Sequence, residues 1–185
     1  MPTYKSFETE RLFLNPTSVE DAGYVLELLN SPKWLHYIGD RNVKNLDDAK
    51  KYIEDRILPQ LYELGYSNYT ITLKSNGAKI GSCGLYKREG LEHVDIGFAF
   101  LPQYEKQGYA FESASKILEV ANSEFNLKKV LAITTQENTG SQKLLEKLGL
   151  IFQKIIRIPN DDEDLMLYEI NFSQKYNPLS KLNGF

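Results

Sequence analysis

Apolar positions along the chain follow two spacings, one typical of helices and the other of strands. Apolar residues three and four positions apart predict a helix that begins at Ser18 and a longer one over residues 46–64, which Pro59 should kink or divide. Segments dense in apolar and β-branched residues predict strands. They lie at residues 11–14, 69–74, 79–87, 92–101, 129–135, 151–158 and 165–172.

The remaining elements are two helices, a hairpin turn and a connecting segment. They are expected, respectively, at residues 110–125 and 138–149, at residues 75–77, and at residues 33–44. This order of elements predicts one mixed α/β domain over residues 1–172, with a sheet of six or seven strands. A loose polar tail is expected over residues 173–185. A chain of 185 residues has room for one such domain with a sizeable core.

Composition narrows the classes of partner. The net charge of −3 lacks the basic surplus of a nucleic-acid-binding domain, so no nucleic-acid partner is expected. No apolar run is long enough to span a membrane, the N-terminus lacks a signal-peptide pattern, and no membrane partner is expected. The single cysteine, Cys83, excludes an internal disulfide and fits a reducing compartment. A cytoplasmic location is the resulting expectation.

A short loop between a strand and a helix carries the first candidate chemistry. Residues 101–112 pass from the strand that ends at Leu101 into the helix that begins near Ala110, and Gly108 lies between them. The first backbone N–H groups of a helix have no partner within it and favour an anion, and a glycine lets a phosphate approach closely. The loop is therefore a candidate phosphate site, although a plain strand-to-helix turn has the same local pattern.

Four sequence pieces, in order along the chain, identify a family. They are Thr9-Glu10-Arg11-Leu12, Ile80-Gly81, Asp95-Ile96-Gly97-Phe98 followed by Gln107-Gly108-Tyr109-Ala110, and Asn138 to Ser141 ending in Lys147-Leu148-Gly149. From Thr9 to about Phe172 the chain resembles the GNAT superfamily of N-acetyltransferases, and within it the RimJ and RimL type of ribosomal-protein N-terminal acetyltransferase. The resemblance implies a single domain with splayed central strands and helices on both faces of the sheet. It also implies acetyl-coenzyme A as co-substrate and no metal.

The resemblance further implies where the coenzyme lies. Pantetheine is expected between the strands 95–100 and 130–135, and one backbone N–H there polarises the thioester carbonyl. The residues expected to bind the coenzyme are Phe98, Ala99 and Phe100 through their backbone, and Lys106, Gln107, Gly108, Tyr109 and Ala110 around the diphosphate. Glu105 departs from the family pattern, which usually has arginine or glutamine there, and its charge is unfavourable unless it points outward. Residues 98–100 also fit an ordinary core strand, and Glu105 with Lys106 also fits a solvated loop pair.

Asn138 and Ser141 lie three residues apart, and hence on one face of a helix at its first turn. By resemblance, Asn138 contacts pantetheine and Ser141 lies near the coenzyme sulfur, where its hydroxyl protonates the departing thiolate. Many relatives place a tyrosine for this task at the position of Leu145. Either Ser141 acts here or the thiolate leaves unaided. Capping of the helix by Asn138 and an exposed Ser141 are the structural alternatives.

Two side chains are candidates for the general base. In a strand over 92–101, His93, Asp95 and Gly97 share one face, because side chains alternate with period two. By resemblance, Asp95 matches the position at which several acetyltransferases carry a glutamate that accepts the amine proton, and His93 is the second candidate. Either can instead be an ordinary exposed strand residue. Cys83 stands in an apolar run and is expected to be a buried, unreactive thiol.

The acceptor site is expected between residues 33–38, the following helices and the last hairpin, with Trp34, Tyr37 and Tyr62 on its floor. These aromatic side chains also fit an ordinary place in the core. The acidic turn 161–164 suits a cationic amine near the mouth, but such a run is also typical of a solvated turn. The predicted acceptor is an α-amine of a peptide, of a protein N-terminus or of a small amine. An aminoglycoside-like or polyamine acceptor and a non-catalytic coenzyme-A-binding module are the alternatives, and a homodimer is one option for the assembly.

Overall fold

The structure, a computed structural model, describes residues 4–159 and 161–172. The strands are β1 (Phe7–Glu8), β2 (Leu12–Pro16), β3 (Asn68–Leu73), β4 (Lys79–Tyr86), β5 (Asp95–Phe100), β6 (Lys129–Thr135), β7 (Ile151–Ile156) and β8 (Leu165–Asn171). They form one sheet in the order β1-β2-β3-β4-β5-β6-β8-β7. Every neighbouring pair is antiparallel except β5 and β6, which are parallel.

The helices flank this sheet. They are α1 (Ala22–Leu29), α2 (Pro32–Tyr37), α3 (Leu46–Tyr52), α4 (Leu58–Leu64), α5 (Tyr109–Ser123) and α6 (Thr139–Lys147). One apolar cluster joins α5 to β3, β4, β5 and β6, and Ile117 and Leu118 are fully buried in it. A second cluster is formed by α1 and α3, and Ala99 of β5 packs against it. Since Ile96 and Phe100 belong to the first cluster, the alternation of β5 places helices on both faces, as expected.

The stretch 46–64 is divided, as predicted from Pro59. A five-residue π-helical segment, Ile53–Ile57, separates α3 from α4, and Pro59 lies in the first turn of α4. Proline has no N–H to donate to the preceding turn, so the regular ladder of hydrogen bonds cannot run through it. The stripe of Ala49, Ile53, Ile57 and Leu61 remains buried along the whole stretch.

Two expectations need correction. Residues 33–44 are not only a connector, because α2 occupies their first part, with Ser31 extended before it and Pro32 at its first position. A helix of six residues is too short for an apolar periodicity to stand out in the sequence. The sheet has eight strands rather than six or seven, and β1 is a two-residue edge strand paired with β2.

Two further expectations concern the C-terminal tail and membrane-spanning segments. The predicted tail, residues 173–185, lies outside the described residues. Within the described ranges, the helices include none with the length and apolar character that crossing a membrane requires.

Candidate active site

Strands β5 and β6 touch at one end and separate at the other. In the described part of the chain, their only pair of Cα partners is Asp95 with Leu131, supported by a 2.9 Å hydrogen bond from the Leu131 N–H to the Val94 carbonyl. On its other side β5 pairs with β4 along all six residues. Alternate residues of an antiparallel strand point their N–H and C=O groups away from the partner strand. Half of the backbone groups of β5 therefore face the wedge that opens beyond Asp95.

The loop that follows β5 enters α5 through two residues with left-handed backbone. Lys106 has φ 58° and Gly108 has φ 84°, and α5 begins at Tyr109. The Gly108 carbonyl accepts the Glu112 N–H at 3.0 Å, which closes the first turn. A non-glycine residue in this region costs roughly 1–2 kcal/mol, so the loop holds a conformation that the isolated chain would avoid. The turn leaves the first N–H groups of α5 without partners inside the helix.

Glu105, the residue that departs from the family pattern, is paired. Its carboxylate forms an ion pair with the ammonium group of Lys33, near the start of α2. The negative charge beside the predicted diphosphate loop is therefore compensated by a neighbouring element. The same pair connects the loop to the helix that carries Trp34 and Tyr37.

Helix α6 begins where β6 ends, on the other side of the wedge. The Asn138 side chain caps it, since its Oδ1 accepts the Ser141 N–H at 3.1 Å, as the capping alternative predicts. Both residues are half-buried. Leu145, one turn on, is 1% exposed and belongs to the core cluster. An apolar side chain thus fills the position at which many relatives carry a tyrosine.

Asp95 stands at the closed end of the wedge and is buried. Its side chain is 1% exposed, and it accepts hydrogen bonds from Arg88 Nε and from the second guanidinium nitrogen, both at 3.2 Å. Burial raises the pKa of the Asp95 carboxyl, and the opposing effect of the Arg88 charge does not cancel this rise. Asp95 is thus not the exposed strand residue that one reading of the sequence allowed.

His93 lies outside the strand, and this corrects the argument that linked it to Asp95. Strand β5 begins at Asp95, and His93 occupies a bend before it, with an exposed side chain. Period-two alternation does not apply to a bend, so nothing in the strand aligns His93 with Asp95 and Gly97. The expected core face of the strand is confirmed. Ile96 is buried in the apolar cluster that joins α5 to the sheet, and Val94 and Phe98 pack against that cluster.

A pocket of ≈ 260 Å³ lies between α2, the end of β6 and the β7–β8 hairpin, in the place expected for an acceptor. Its lining residues are His36, Tyr37, Thr135, Gln136, Glu137, Glu163 and Asp164. His36 Nε2 is 3.9 Å from a Glu137 carboxylate oxygen, and Asp164 is paired with Arg157 at 2.6 Å. Trp34 and Tyr62 are not among the lining residues: Trp34 packs half-buried against the α1–α3 cluster, and Tyr62 is exposed elsewhere on the surface. His36 belongs to the expected segment 33–38, whereas Glu137 was missed by sequence reasoning, because it meets His36 only through folding.

The one cysteine of the chain lies on β4, where it pairs with Phe98 of β5. Cys83 is fully buried, and burial raises the pKa of its thiol to about 12, which agrees with the expected unreactive cysteine. Among the described residues, no three His, Cys, Asp or Glu side chains are grouped to hold a metal ion.

Comparison with known proteins gives a family for this arrangement. A profile described as an acetyltransferase (GNAT) domain matches residues 11–151. An uncharacterized N-acetyltransferase of Bacillus subtilis, YnaD, is 28% identical over 166 residues, which cover 88% of this chain and 94% of YnaD.

Two solved structures show the same fold. The ribosomal-protein-S5-alanine acetyltransferase of Vibrio fischeri superposes with a TM-score of 0.77 and 16% identity, covering 94% of this chain and 100% of that one. RimL, a ribosomal L7/L12 α-N-protein acetyltransferase solved with coenzyme A, gives a TM-score of 0.76 at 15% identity, covering 90% and 98%. With the profile match over most of its length, the chain belongs to the GNAT family and is an N-acetyltransferase.

Proposed function

We propose that this N-acetyltransferase binds acetyl-coenzyme A in the wedge between β5 and β6 and transfers the acetyl group to an α-amino group. The observation that carries the proposal is the single point of pairing between these strands, at Asp95 and Leu131. Beyond it, backbone groups of β5 are available to an extended ligand, and the first turns of α5 and α6 flank the wedge. The RimL structure, which shares this fold, contains coenzyme A.

Three groups of residues bind the coenzyme in this proposal. The backbone of Phe98, Ala99 and Phe100 bonds to pantetheine as a neighbouring strand does. The loop Lys106–Ala110 presents the first N–H groups of α5 to the diphosphate, with Lys106 as an additional cation. Asn138 contacts the pantetheine arm while it caps α6.

The reaction is a direct attack in a ternary complex. The neutral amine nitrogen bonds to the thioester carbonyl carbon, a β5 N–H stabilises the oxyanion, and the carbon–sulfur bond then breaks. The amine proton passes to a base, and the Ser141 hydroxyl gives its proton to the leaving thiolate while it takes up another from solvent water. An acetylated cysteine is not part of the scheme, since Cys83 is buried with its thiol pKa raised to about 12.

Asp95 is our first choice for the base. Its pKa is raised by burial, which brings a carboxyl group closer to the pH at which a general base is most effective. It lies at the closed end of the wedge, next to the start of the β5 segment that is proposed to hold the thioester. His93, exposed in the preceding bend, is the second choice, and His36 of the acceptor pocket is a third that the folded chain adds.

One observation favours an amine as acceptor, and one physical argument favours an α-amine over a lysine side chain. The pocket carries Glu137, Glu163 and Asp164, which attract an ammonium group. An α-amino group has a pKa near ~8 and a lysine side chain near ~10.4, so the neutral nucleophile is easier to reach by roughly 3.4 kcal/mol for the α-amine. With no tyrosine acid at Leu145, this difference favours the less basic amine.

A matched set of peptides tests the acceptor. We expect thiol release from acetyl-coenzyme A with a lysine-containing peptide that has a free N-terminus, and none with the same peptide blocked at its N-terminus. Mass spectrometry of the product should place the acetyl group on the α-nitrogen. Turnover of the blocked peptide at an equal rate would contradict the α-amine assignment.

The acidic pocket also supports a second candidate function, acetylation of a polycationic small molecule such as a polyamine or aminoglycoside. Saturation by such a compound at low micromolar concentration, with no turnover of peptides, would favour it. A non-catalytic coenzyme-A-binding module is the third reading, motivated by Leu145. Tight calorimetric binding of acetyl-coenzyme A without turnover of any amine in the panel would favour that reading.

A further inference from the structure

The Thr9-Glu10-Arg11-Leu12 piece of the sequence meets the start of α5 in the folded chain. The Glu112 carboxylate accepts hydrogen bonds from Thr9 Oγ1 at 2.5 Å, from the Arg11 N–H at 2.9 Å and from Arg11 Nε at 2.7 Å. Partial burial alone raises the pKa of Glu112, but these hydrogen bonds outweigh it and hold the pKa below its ordinary value. Glu112 is therefore the ionised anchor of a contact between residues about 100 positions apart.

The same arginine also touches the loop in front of α5. One terminal nitrogen of Arg11 donates to the Gln107 carbonyl at 3.1 Å. The guanidinium carbon lies 4.4 Å from the centroid of the Tyr109 ring. The other terminal nitrogen is 3.2 Å from the point that a Cβ on Gly108 would occupy. Arg11 thus contacts Gln107 and Tyr109 and lies over the space beside Gly108, in the turn that opens α5.

This turn needs support from outside. Lys106 and Gly108 both have positive φ, and a non-glycine residue holds such a conformation only where surrounding contacts fix it. The Gln107 side chain supplies one such contact, to the Gln103 carbonyl at 2.9 Å. Arg11 supplies others from one planar side chain, whose Nε donates to Glu112 and whose terminal nitrogen donates to the Gln107 carbonyl. A guanidinium group provides this fork, and a lysine ammonium group does not.

We propose that Arg11 is a positioning residue for the coenzyme: it fixes the turn Gln107–Tyr109 so that the first N–H groups of α5 point at the diphosphate. The inference rests on the proposed function for the identity of the ligand. The assignment is new in that Arg11, in the bend between β1 and β2, acts on a site built by β5 and α5. The positive charge of Arg11 is already neutralised by Glu112. Arg11 therefore contributes to coenzyme binding by fixing the geometry of the loop.

The first test compares two acetyl donors in the Arg11→Ala variant. We expect the Kd of coenzyme A and the KM of acetyl-coenzyme A to rise about 10-fold, the effect of losing one charge-assisted contact network. Turnover with S-acetylpantetheine, which lacks the diphosphate, should be unchanged. Lys74→Ala is the matched control, since Lys74 pairs with Glu8 at 2.9 Å and lies 5.1 Å from the Phe13 ring centroid, away from the loop.

The second test uses the protein without coenzyme. Amide hydrogen exchange of Arg11→Ala should be faster over residues 106–112 and unchanged over the rest of α5, whereas Lys74→Ala should match the wild type. Arg11→Lys should recover little of the lost affinity, because an ammonium group cannot bridge Glu112 and Gln107 as the fork does.

Each outcome decides the inference. Weaker coenzyme binding with unchanged exchange over 106–112 would mean that Arg11 contacts the ligand directly, and positioning would be refuted. An equal loss with both acetyl donors, or no loss with either, would refute it as well. Absence of coenzyme binding by the wild type would overturn the proposed function, and the exchange experiment would still decide whether Arg11 orders the turn.

Discussion

Single residues at the two ends of the wedge meet opposite physical demands. At the open end, Gly108 must keep a backbone conformation that side chains disfavour and must leave room for a ligand. At the closed end, Asp95 is a buried carboxyl group, and its side chain accepts hydrogen bonds from Arg88. Substitutions at these positions should therefore separate binding of the coenzyme from protonation and catalysis.

Replacing Gly108 by valine should abolish coenzyme binding. A side chain here is strained at φ 84° and meets Arg11 at 3.2 Å, so both the turn and the contact that supports it are disturbed. Gly77→Val is the matched control, because Gly77 has φ 74° in the β3–β4 turn and nothing lies within 4 Å of its added Cβ. Calorimetry with coenzyme A and thermal unfolding of both variants check this. Normal binding by Gly108→Val would show that the diphosphate lies elsewhere.

Replacing Asp95 by asparagine should change how stability depends on pH. A carboxyl group whose folded pKa is raised stabilises the fold most when protonated, at a pH below its unfolded value of ~3.9, and this contribution falls as pH rises through the folded pKa. The stability of wild type relative to Asp95→Asn should therefore decrease from pH 3.5 to pH 7. Denaturant unfolding of both proteins across this range measures it. A difference that grows with pH would mean that the Arg88 pair outweighs burial.

Replacing Ser141 by alanine should slow the chemical step. Loss of the proton donor for the thiolate should lower kcat roughly 10- to 100-fold, at the low end of general acid catalysis. The α6 cap should survive, since it uses the Ser141 backbone N–H and not its hydroxyl. Steady-state kinetics should show the loss in kcat with little change in coenzyme Kd. An acetyl donor with a more acidic thiol should reduce the defect, and equal defects with both donors would argue against this role.

At the scale of elements, α2 connects the proposed acceptor pocket with the proposed coenzyme loop. His36 and Tyr37 line the pocket, and Lys33, one turn earlier, pairs with Glu105 of the loop. Exposed ion pairs contribute little to the free energy of unfolding, with a median of about 0–1 kcal/mol. The effect of this pair is therefore expected in the charge near the ligand and not in stability.

Replacing Lys33 by alanine should leave Glu105 uncompensated beside the diphosphate. We expect the coenzyme Kd to rise about 3-fold at low ionic strength and the difference to shrink in high salt, which screens exposed charges. The double variant Lys33→Ala/Glu105→Gln should restore wild-type affinity. Calorimetry at two salt concentrations measures both. A double variant as weak as the single one would show that Lys33 acts by another route.

At the scale of the whole molecule, the acidic pocket should attract cations although the net charge is only −3. Glu163→Gln should raise the KM of a cationic acceptor about 3-fold at low salt, because one exposed carboxylate is removed from the pocket. Asp162→Asn is the matched control, since Asp162 lies in the same turn but does not line the pocket. Equal effects of the two substitutions would indicate general attraction by the turn and not a pocket contact.

The sequence predicted an element correctly where the pattern that indicates it lies within the element itself. The strand over 129–135 and the cap at Asn138 agree with the structure, because alternation and capping depend on residues within a few positions. It failed for α2, which is too short to show a period, and for His93, where a strand was extended beyond its start. It also omitted β1, a two-residue edge strand defined only by its pairing with β2.

The sequence alone determined the family, the mixed α/β order, the glycine of the loop before α5 and the capped start of α6. The family follows from the resemblance of a few short sequence pieces, and the other three depend on patterns within short segments. Tertiary structure decided the rest: the burial of Asp95 with Arg88, the pairing of Lys33 with Glu105, the acidic pocket around His36 and the support of the loop by Arg11. Apart from the nearby Arg88 and Asp95, these contacts join residues far apart in the chain, and all of them arise when separate strands and helices pack together, so no local pattern encodes them.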